Sequence, residues 1–272
     1  MIKFMCIIRN IMKNINLFIK KNLIGLLKFK FEEFIPNSSG NLFQINELIE
    51  KNIVNTNKVL ADICNDLNEF EITQLDDLKY EKSFAEKLKI NFNIHNSDKT
   101  THGYHILYSY IFKKLTANPC IFEIGIGSNN TEVVSNMGNK GFPGASLHAF
   151  SNVFPKAKLY GADIDKDILF NTNNIECYFL DQNNYETFLT KEIQNINFDL
   201  LIDDGLHMQS SNLNTLRFFI NSKSDKNKIL IIEDVSHNAL NTWFIVKHAL
   251  GKEFKLEIIE CFDNYAVLVS NF

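Results

Sequence analysis

The sequence predicts an α/β protein with a doubly wound, mostly parallel sheet of seven strands, of which the last two form a C-terminal antiparallel hairpin. A small helical N-terminal region precedes this sheet. Two observations carry this prediction. Short apolar runs alternate with helical segments from Asn118-Pro119 onward, and the last two strands lie too close together in the chain for a parallel pairing. The 272 residues suffice for one large domain and a smaller appendage.

Five apolar runs are predicted as the parallel strands, at residues 120–125, 158–164, 175–180, 198–202 and 228–232. Helices are predicted between or after them, at residues 184–193, 210–220 and 238–250, with Gly251 as a natural stop. Because strands and helices alternate, the strands are expected to run parallel with helices on both faces of the sheet.

The final strands, 254–261 and 265–269, are joined only by Phe262-Asp263-Asn264, a connection that permits an antiparallel hairpin and nothing else. At the other end of the chain, apolar residues recur at helical spacing after the breaker Pro36-Asn37-Ser38-Ser39-Gly40. We therefore expect residues 1–95 to form the helical region and residues 96–272 the large domain.

Composition excludes several classes of protein. A net charge of −4 and a pI near 6.0 give no basic surface for nucleic acid, so no nucleic-acid partner is predicted. The five cysteines are odd in number and widely spread, which argues against a disulfide framework and against a cysteine zinc site. A reducing cytoplasm is the expected compartment.

The first 31 residues are apolar and basic, but charges interrupt every apolar run before the roughly 20 residues that a membrane span needs. No transmembrane segment is predicted. The favoured interpretation is a helix that packs on its own domain or on a second subunit of a homo-oligomer. The alternative is a basic amphipathic helix in peripheral contact with an anionic membrane.

Glycines and polar side chains cluster at the carboxyl ends of the predicted strands, where open α/β sheets bind ligands. An acid at the end of the second strand is placed to accept hydrogen bonds from ribose hydroxyls, and one at the end of the third is placed to meet an adenine amino group. Strand by strand, these residues are Glu123, Gly125 and Gly127; Asp163; Asp181 and Gln182; Asp203 and Asp204, with His207 beyond; and Glu233 and Asp234, with His237 beyond.

Three of these acids, Asp204, Glu233 and Asp234, come from neighbouring strand ends, within reach of one hard cation. Carboxylates with positions left open for water and substrate suit Mg²⁺, and such an ion lowers the pKa of a bound hydroxyl. His207 is placed to take the proton, because the unperturbed pKa of histidine is near neutrality. His237 is the weaker candidate for this base.

The strand-end motifs resemble those of class I S-adenosylmethionine-dependent methyltransferases over roughly residues 97–272. The greatest likeness is to metal-dependent sugar O-methyltransferases of macrolide tailoring and their relatives in bacterial surface-polysaccharide clusters. The motifs are E-I-G-I-G-S at 123–128, G-A-S-L at 144–147, G-A-D-I-D at 161–165, D-D-G-L-H at 203–207 and E-D at 233–234.

This resemblance implies a site with two cofactors, S-adenosylmethionine and Mg²⁺. Residues expected to contact S-adenosylmethionine are Glu123, Gly125, Gly127, Ser146, Asp163, Asp181 and Asp203. Asp163 would meet ribose, Asp181 adenine, and Ser146 the methionine end. Asp204, Glu233 and Asp234 are implied as metal ligands and His207 as the general base.

The implied acceptor is a hydroxyl of a sugar or glycan precursor, free or nucleotide-linked, in surface-polysaccharide or natural-product biosynthesis. Two alternatives stay open: methylation of a non-sugar capsule substituent, such as a phosphate or phosphoramidate oxygen, and a methyltransferase that needs no metal.

A nicotinamide-dependent oxidoreductase is disfavoured, because the acid that binds ribose should follow the glycines by about 20 residues and Asp163 comes much later. A non-catalytic subunit of the same fold would be expected to lose the ion site or the base, and this chain has both.

Some positions depart from the pattern. Asn129 stands where the third glycine is usual, and His148 stands where relatives often have arginine. Residues 129–143 form a long connection, which is either a lid or a solvated insertion. In segment 98–105, Lys99, Tyr104 and His105 either reach substrate or belong to a helix start capped by Asp98 or Thr101.

Overall fold

Eight strands form one sheet in the computed structural model, which describes residues 58–62, 71–138, 141–222 and 227–272. In chain order they are β1 (Ile72–Gln74), β2 (Ile121–Ile124), β3 (Leu159–Asp163), β4 (Ile175–Phe179), β5 (Leu200–Asp203), β6 (Ile229–Val235), β7 (Lys255–Glu260) and β8 (Tyr265–Ser270). Their spatial order is β1-β7-β8-β6-β5-β2-β3-β4.

Within this sheet β8 runs antiparallel to both of its neighbours, β6 and β7, and every other adjacent pair is parallel. The predicted parallel sheet with a C-terminal hairpin is therefore confirmed. The predicted number of seven strands is wrong for the described sheet, since β1 adds an eighth beside β7. β1 has three residues, which is too short a run for an alternating pattern to reveal.

From residue 71 onward, six α-helices lie among the described residues: α1 (Lys82–Ile94), α2 (Tyr104–Phe112), α3 (Ala145–Val153), α4 (Lys191–Gln194), α5 (Gln209–Asn221) and α6 (Leu240–Ala249). The predicted helix at 184–193 is instead a 3-10 helix, Tyr185–Leu189, followed by α4. Thr190 between them has an extended backbone, with φ −62° and ψ 150°.

The helices cover both faces of the sheet, as a doubly wound fold requires. The first three helices pack in one hydrophobic core with Ile121 and Ile202, whereas α5 and α6 pack in a second core with Phe122 and Leu201. Consecutive strand residues thus enter opposite cores, which explains why these strands are continuous apolar runs.

The basic segment 1–31 and the rest of residues 1–57 lie outside the described residues, so their helical character stays a prediction. β1 and α1 also precede residue 96; β1 joins the sheet, and α1 joins its first core. None of the helices described here has the length and hydrophobicity that crossing a bilayer requires.

Candidate active site

β2 ends in a glycine turn in which Gly125 and Gly127 have positive φ angles of 87° and 85°. A Cβ atom on Gly125 would lie 2.2 Å from the backbone oxygen of Asp204, so the turn after β2 and the loop after β5 meet backbone to backbone. Glycine is required there for both reasons. Asn129, which stands where the third glycine is usual, does not have a positive φ, and its amide donates to the carbonyl of Gly141.

We expect Gly125→Ala to lower the free energy of unfolding by more than the about 1–3 kcal/mol that an unfavourable φ alone costs, because the added methyl group overlaps backbone atoms. Denaturant unfolding measures the difference. Gly138→Ala is the matched control, since Gly138 also has a positive φ, 68°, but a Cβ there meets nothing within 4 Å. Equal losses for the two variants would contradict the close approach of the two loops.

Asp163, the last residue of β3, forms a hydrogen bond to the glycine turn that follows the neighbouring strand β2. Its Oδ2 accepts a hydrogen bond from the backbone N–H of Ile126 at 3.0 Å, and its Oδ1 accepts one from that of Asp165 at 2.9 Å. Burial raises the pKa of Asp163, and these N–H donors oppose the shift. A carboxylate has further lone pairs with which to accept a hydroxyl.

Glu123 and Ser146 are in direct hydrogen-bond contact. The Ser146 hydroxyl, on α3, donates to Oε2 of Glu123 at 2.5 Å. Burial raises the pKa of the Glu123 carboxyl, whereas the ammonium of Lys99, 3.2 Å from Oε1, lowers it. This pair joins the end of β2 to the first turn of α3.

The acids after β4 and β5 are less open. Asp203 is 0% exposed, and its two oxygens accept from the amides of Gln182, at 2.7 Å, and Asn212, at 3.1 Å. The other end of the Gln182 amide accepts from the N–H of Leu206. The structure thus uses Asp203 and Gln182 to hold neighbouring loops together and does not bring Asp203 to the open edge. Asp181 is half-buried there, and its contact with adenine stays a prediction.

Asp204, His207 and Asp234 form an open group whose potential ligand atoms all lie within 4.8 Å of one another. Nε2 of His207 is 3.9 Å from Oδ1 of Asp204 and 3.7 Å from Oδ2 of Asp234. His207 and Asp234 both have a φ of 54°, a strained conformation for residues other than glycine. Such strain concentrates at functional sites.

Each carboxylate in this group has one anchored oxygen and one oxygen that faces His207. Lys99 donates to Oδ2 of Asp204 at 2.8 Å, and the Tyr104 hydroxyl donates to Oδ1 of Asp234 at 2.8 Å. Asn264 also donates to that Oδ1. Two fixed carboxylates with free oxygens around a common space fit a hard cation that keeps several water ligands.

The predicted third ligand, Glu233, lies apart from this open group. It is 1% exposed, its Oε1 accepts from the Tyr108 hydroxyl at 2.7 Å, and its Oε2 forms an ion pair with Lys99. Burial raises the pKa of Glu233, against the opposing effect of Lys99. The structure therefore groups two of the three predicted acids with His207.

Lys99 is the residue whose position the sequence did not reveal. It lies in the 3-10 turn Asp98–Thr100 before α2. Burial alone would lower the pKa of its ammonium, but the nearby carboxylates of Asp204, Glu233 and Glu123 outweigh that effect and raise it well above its ordinary value. The only sequence signal is its place in a polar segment that precedes two tyrosines one helical turn apart, Tyr104 and Tyr108.

The other candidate histidines point elsewhere. His105 is buried, and both burial and nearby Lys89 lower its pKa. His237 is exposed, with Nδ1 3.4 Å from the Tyr265 hydroxyl. The His148 ring stacks on Phe170 at 5.0 Å and on His95 at 5.8 Å.

The described residues of the 129–143 connection include Val134 and Phe142, which are 70% and 56% exposed, and its role as a lid stays a prediction.

No protein-family model and no curated protein matches this sequence. Among solved structures, the chain is similar to the MycE methyltransferase from the mycinamycin biosynthetic pathway in complex with Mg, SAH and mycinamycin VI, with a TM-score of 0.52 and 20% identity. The chain has the fold of MycE. The match covers 67% of this chain and 54% of MycE, and a second MycE structure with Mg and SAH gives the same values.

A ribosomal RNA methyltransferase from Plasmodium falciparum is also similar, at a TM-score of 0.40 and 14% identity, over 61% of this chain and 93% of the other. The match to MycE spans about half of that enzyme's length.

Proposed function

We propose that the chain is an S-adenosylmethionine-dependent O-methyltransferase that acts on a hydroxyl group of a sugar or glycan precursor. The observation that carries the proposal is the contact between the glycine turn and the loop that bears Asp204. It brings the backbone of the glycine turn against the backbone of Asp204, whose carboxylate belongs to the open group with His207 and Asp234. A methyl donor and a hydroxyl acceptor bound at these two places would meet.

The residues on the cofactor side fit S-adenosylmethionine, which supplies a methyl group on a positively charged sulfur. Gly125 and Gly127 let the backbone approach the ligand closely, and Asp163 would accept from ribose. Glu123 and Ser146 would face the methionine end. The MycE structures, which contain Mg and SAH, support this assignment by likeness of fold.

On the acceptor side, the hydroxyl loses its proton to Nε2 of His207. S-adenosylmethionine, when bound, would supply its methyl group to the hydroxyl oxygen, and the electron pair of the broken carbon–sulfur bond would stay on sulfur. Asp204 and Asp234 would hold Mg²⁺, whose positive charge lowers the pKa of a bound hydroxyl. The sugar acceptor and a role in surface-polysaccharide or natural-product biosynthesis rest on the motifs at 203–207 and 233–234.

Calorimetry with S-adenosylhomocysteine tests the cofactor assignment. We expect one site per chain in the wild type, and Asp163→Ala should weaken binding by about 1–3 kcal/mol, or roughly 5- to 150-fold, because a buried hydrogen-bond partner is lost. Asp167→Asn, an exposed acid in the following turn, is the control and should bind normally. Absence of binding to the wild type would contradict the proposal.

A further inference from the structure

Lys99 lies inside the site, yet the reaction described above does not use it. Its side chain is 2% exposed, and its Nζ contacts acids from three neighbouring strand ends. The distances are 3.2 Å to Glu123 and 2.8 Å to Asp204, with Glu233 closer still. A buried carboxylate needs a charged or hydrogen-bonding partner. The Lys99 ammonium is the cation that fills this role for Glu123 and Glu233.

The contacts of Lys99 divide the acids of the site into two sets. The inner set consists of Glu123, Glu233 and Oδ2 of Asp204, which face the ammonium. The outer set consists of Oδ1 of Asp204 and Oδ2 of Asp234, which face His207. The boundary passes through Asp204 itself, because its two oxygens belong to different sets.

We propose that Lys99 is a positioning residue that acts as a built-in cation. It keeps the inner acids from binding a divalent ion, and it confines that ion to the outer oxygens, where His207 and an acceptor hydroxyl can meet. This inference rests on the proposed function, because the ion site is part of it. Without Lys99, a third and a fourth acid become available, and the ion is expected to move inward.

Manganese binding tests the inference without relying on turnover. Lys99→Met preserves length and removes the charge, so we expect Mn²⁺ to bind about tenfold or more tightly, since a cation no longer repels it at close range. The electron paramagnetic resonance spectrum of bound Mn²⁺ should change as acids of the inner set become ligands. A purely structural role predicts the opposite sign, because a loosened site binds the ion less well. Unchanged or weaker binding would overturn the inference.

Lys228→Met is the matched control for loss of a buried lysine. Lys228 is 3% exposed and lies beside the other end of β6, where its Nζ donates to the carbonyls of Phe219 and Ser222. Burial lowers the pKa of Lys228 to about 8. We expect this variant to bind Mn²⁺ as the wild type does. A tenfold gain here as well would show that the effect is not specific to Lys99.

Two further variants decide the matter if Lys99→Met does not fold. Lys99→Arg keeps the charge and should leave Mn²⁺ affinity within about threefold of wild type. The double variant Lys99→Met/Glu233→Gln removes one charge of each sign and should also return towards wild-type affinity. Tighter binding by Lys99→Arg, or no Mn²⁺ binding by the wild type, would reject the inference. Binding of S-adenosylhomocysteine in the same samples reports separately on the methyltransferase proposal.

Discussion

Replacing His207 with alanine is expected to lower the rate of methyl transfer by about 10²–10⁴-fold, the usual contribution of a positioned base. Nε2 of His207 lies 3.9 Å from the free oxygen of Asp204 and 3.7 Å from that of Asp234, where the proton of a bound hydroxyl would be released. Transfer of labelled methyl groups to a panel of nucleotide-linked sugars measures the rate.

The same variant separates a base from a ligand. Because Nε2 of His207 belongs to the group that could hold a cation, loss of a ligand would weaken Mn²⁺ binding, whereas loss of a base leaves it intact; we expect the second result. His237→Ala is the control and should turn over normally, since His237 is exposed. Normal turnover by His207→Ala would move the base to another residue.

Chelation with EDTA is expected to abolish turnover, and added Mg²⁺ is expected to restore it. Asp234→Asn should have a similar effect, because it removes an anionic oxygen from the ion site while its amide oxygen can still accept from the Tyr104 hydroxyl. Asp204→Asn should behave likewise. In ion-free buffer, both variants should bind S-adenosylhomocysteine nearly as the wild type does, because neither side chain is expected to contact that ligand.

Asp263→Asn is the control for these acids. Asp263 is exposed in the hairpin turn and pairs with His102 at 2.8 Å, so it carries a carboxylate near the site without joining the open group. This variant should retain its dependence on Mg²⁺. Full activity of the wild type after exhaustive chelation would remove the metal from the mechanism and leave Asp204 and Asp234 as structural residues.

The fold was largely predictable because its strands are buried on both faces and therefore read as short apolar runs. The hairpin followed from the three-residue connection alone. β1 could not be predicted, because three residues show no periodicity, and its place beside β7 depends on tertiary packing. The helix predicted at 184–193 is interrupted at Thr190, which has an extended backbone. No residue pattern around Thr190 predicts that conformation.

The sequence predicts which strand ends meet at the site. It does not predict the direction in which each side chain points. Glu233 and Asp234 are adjacent in sequence, yet one faces Lys99 and the other faces His207. An irregularity in the pairing of β6 with β8 and the positive φ of Asp234 set these directions. The burial of Lys99 is also a tertiary property, since lysine is almost always exposed and is buried only when it is paired.

The contact at Gly125 has a thermodynamic consequence. The backbone of the glycine turn after β2 and the carbonyl of Asp204 leave no room for a methyl group between them, so we expect a displacement of one loop to displace the other. Ligands on the two loops are then linked. By reciprocity, the factor by which a bound cation changes the affinity for the nucleoside ligand equals the factor by which that ligand changes the affinity for the cation. The order in which the two bind therefore leaves their combined affinity unchanged.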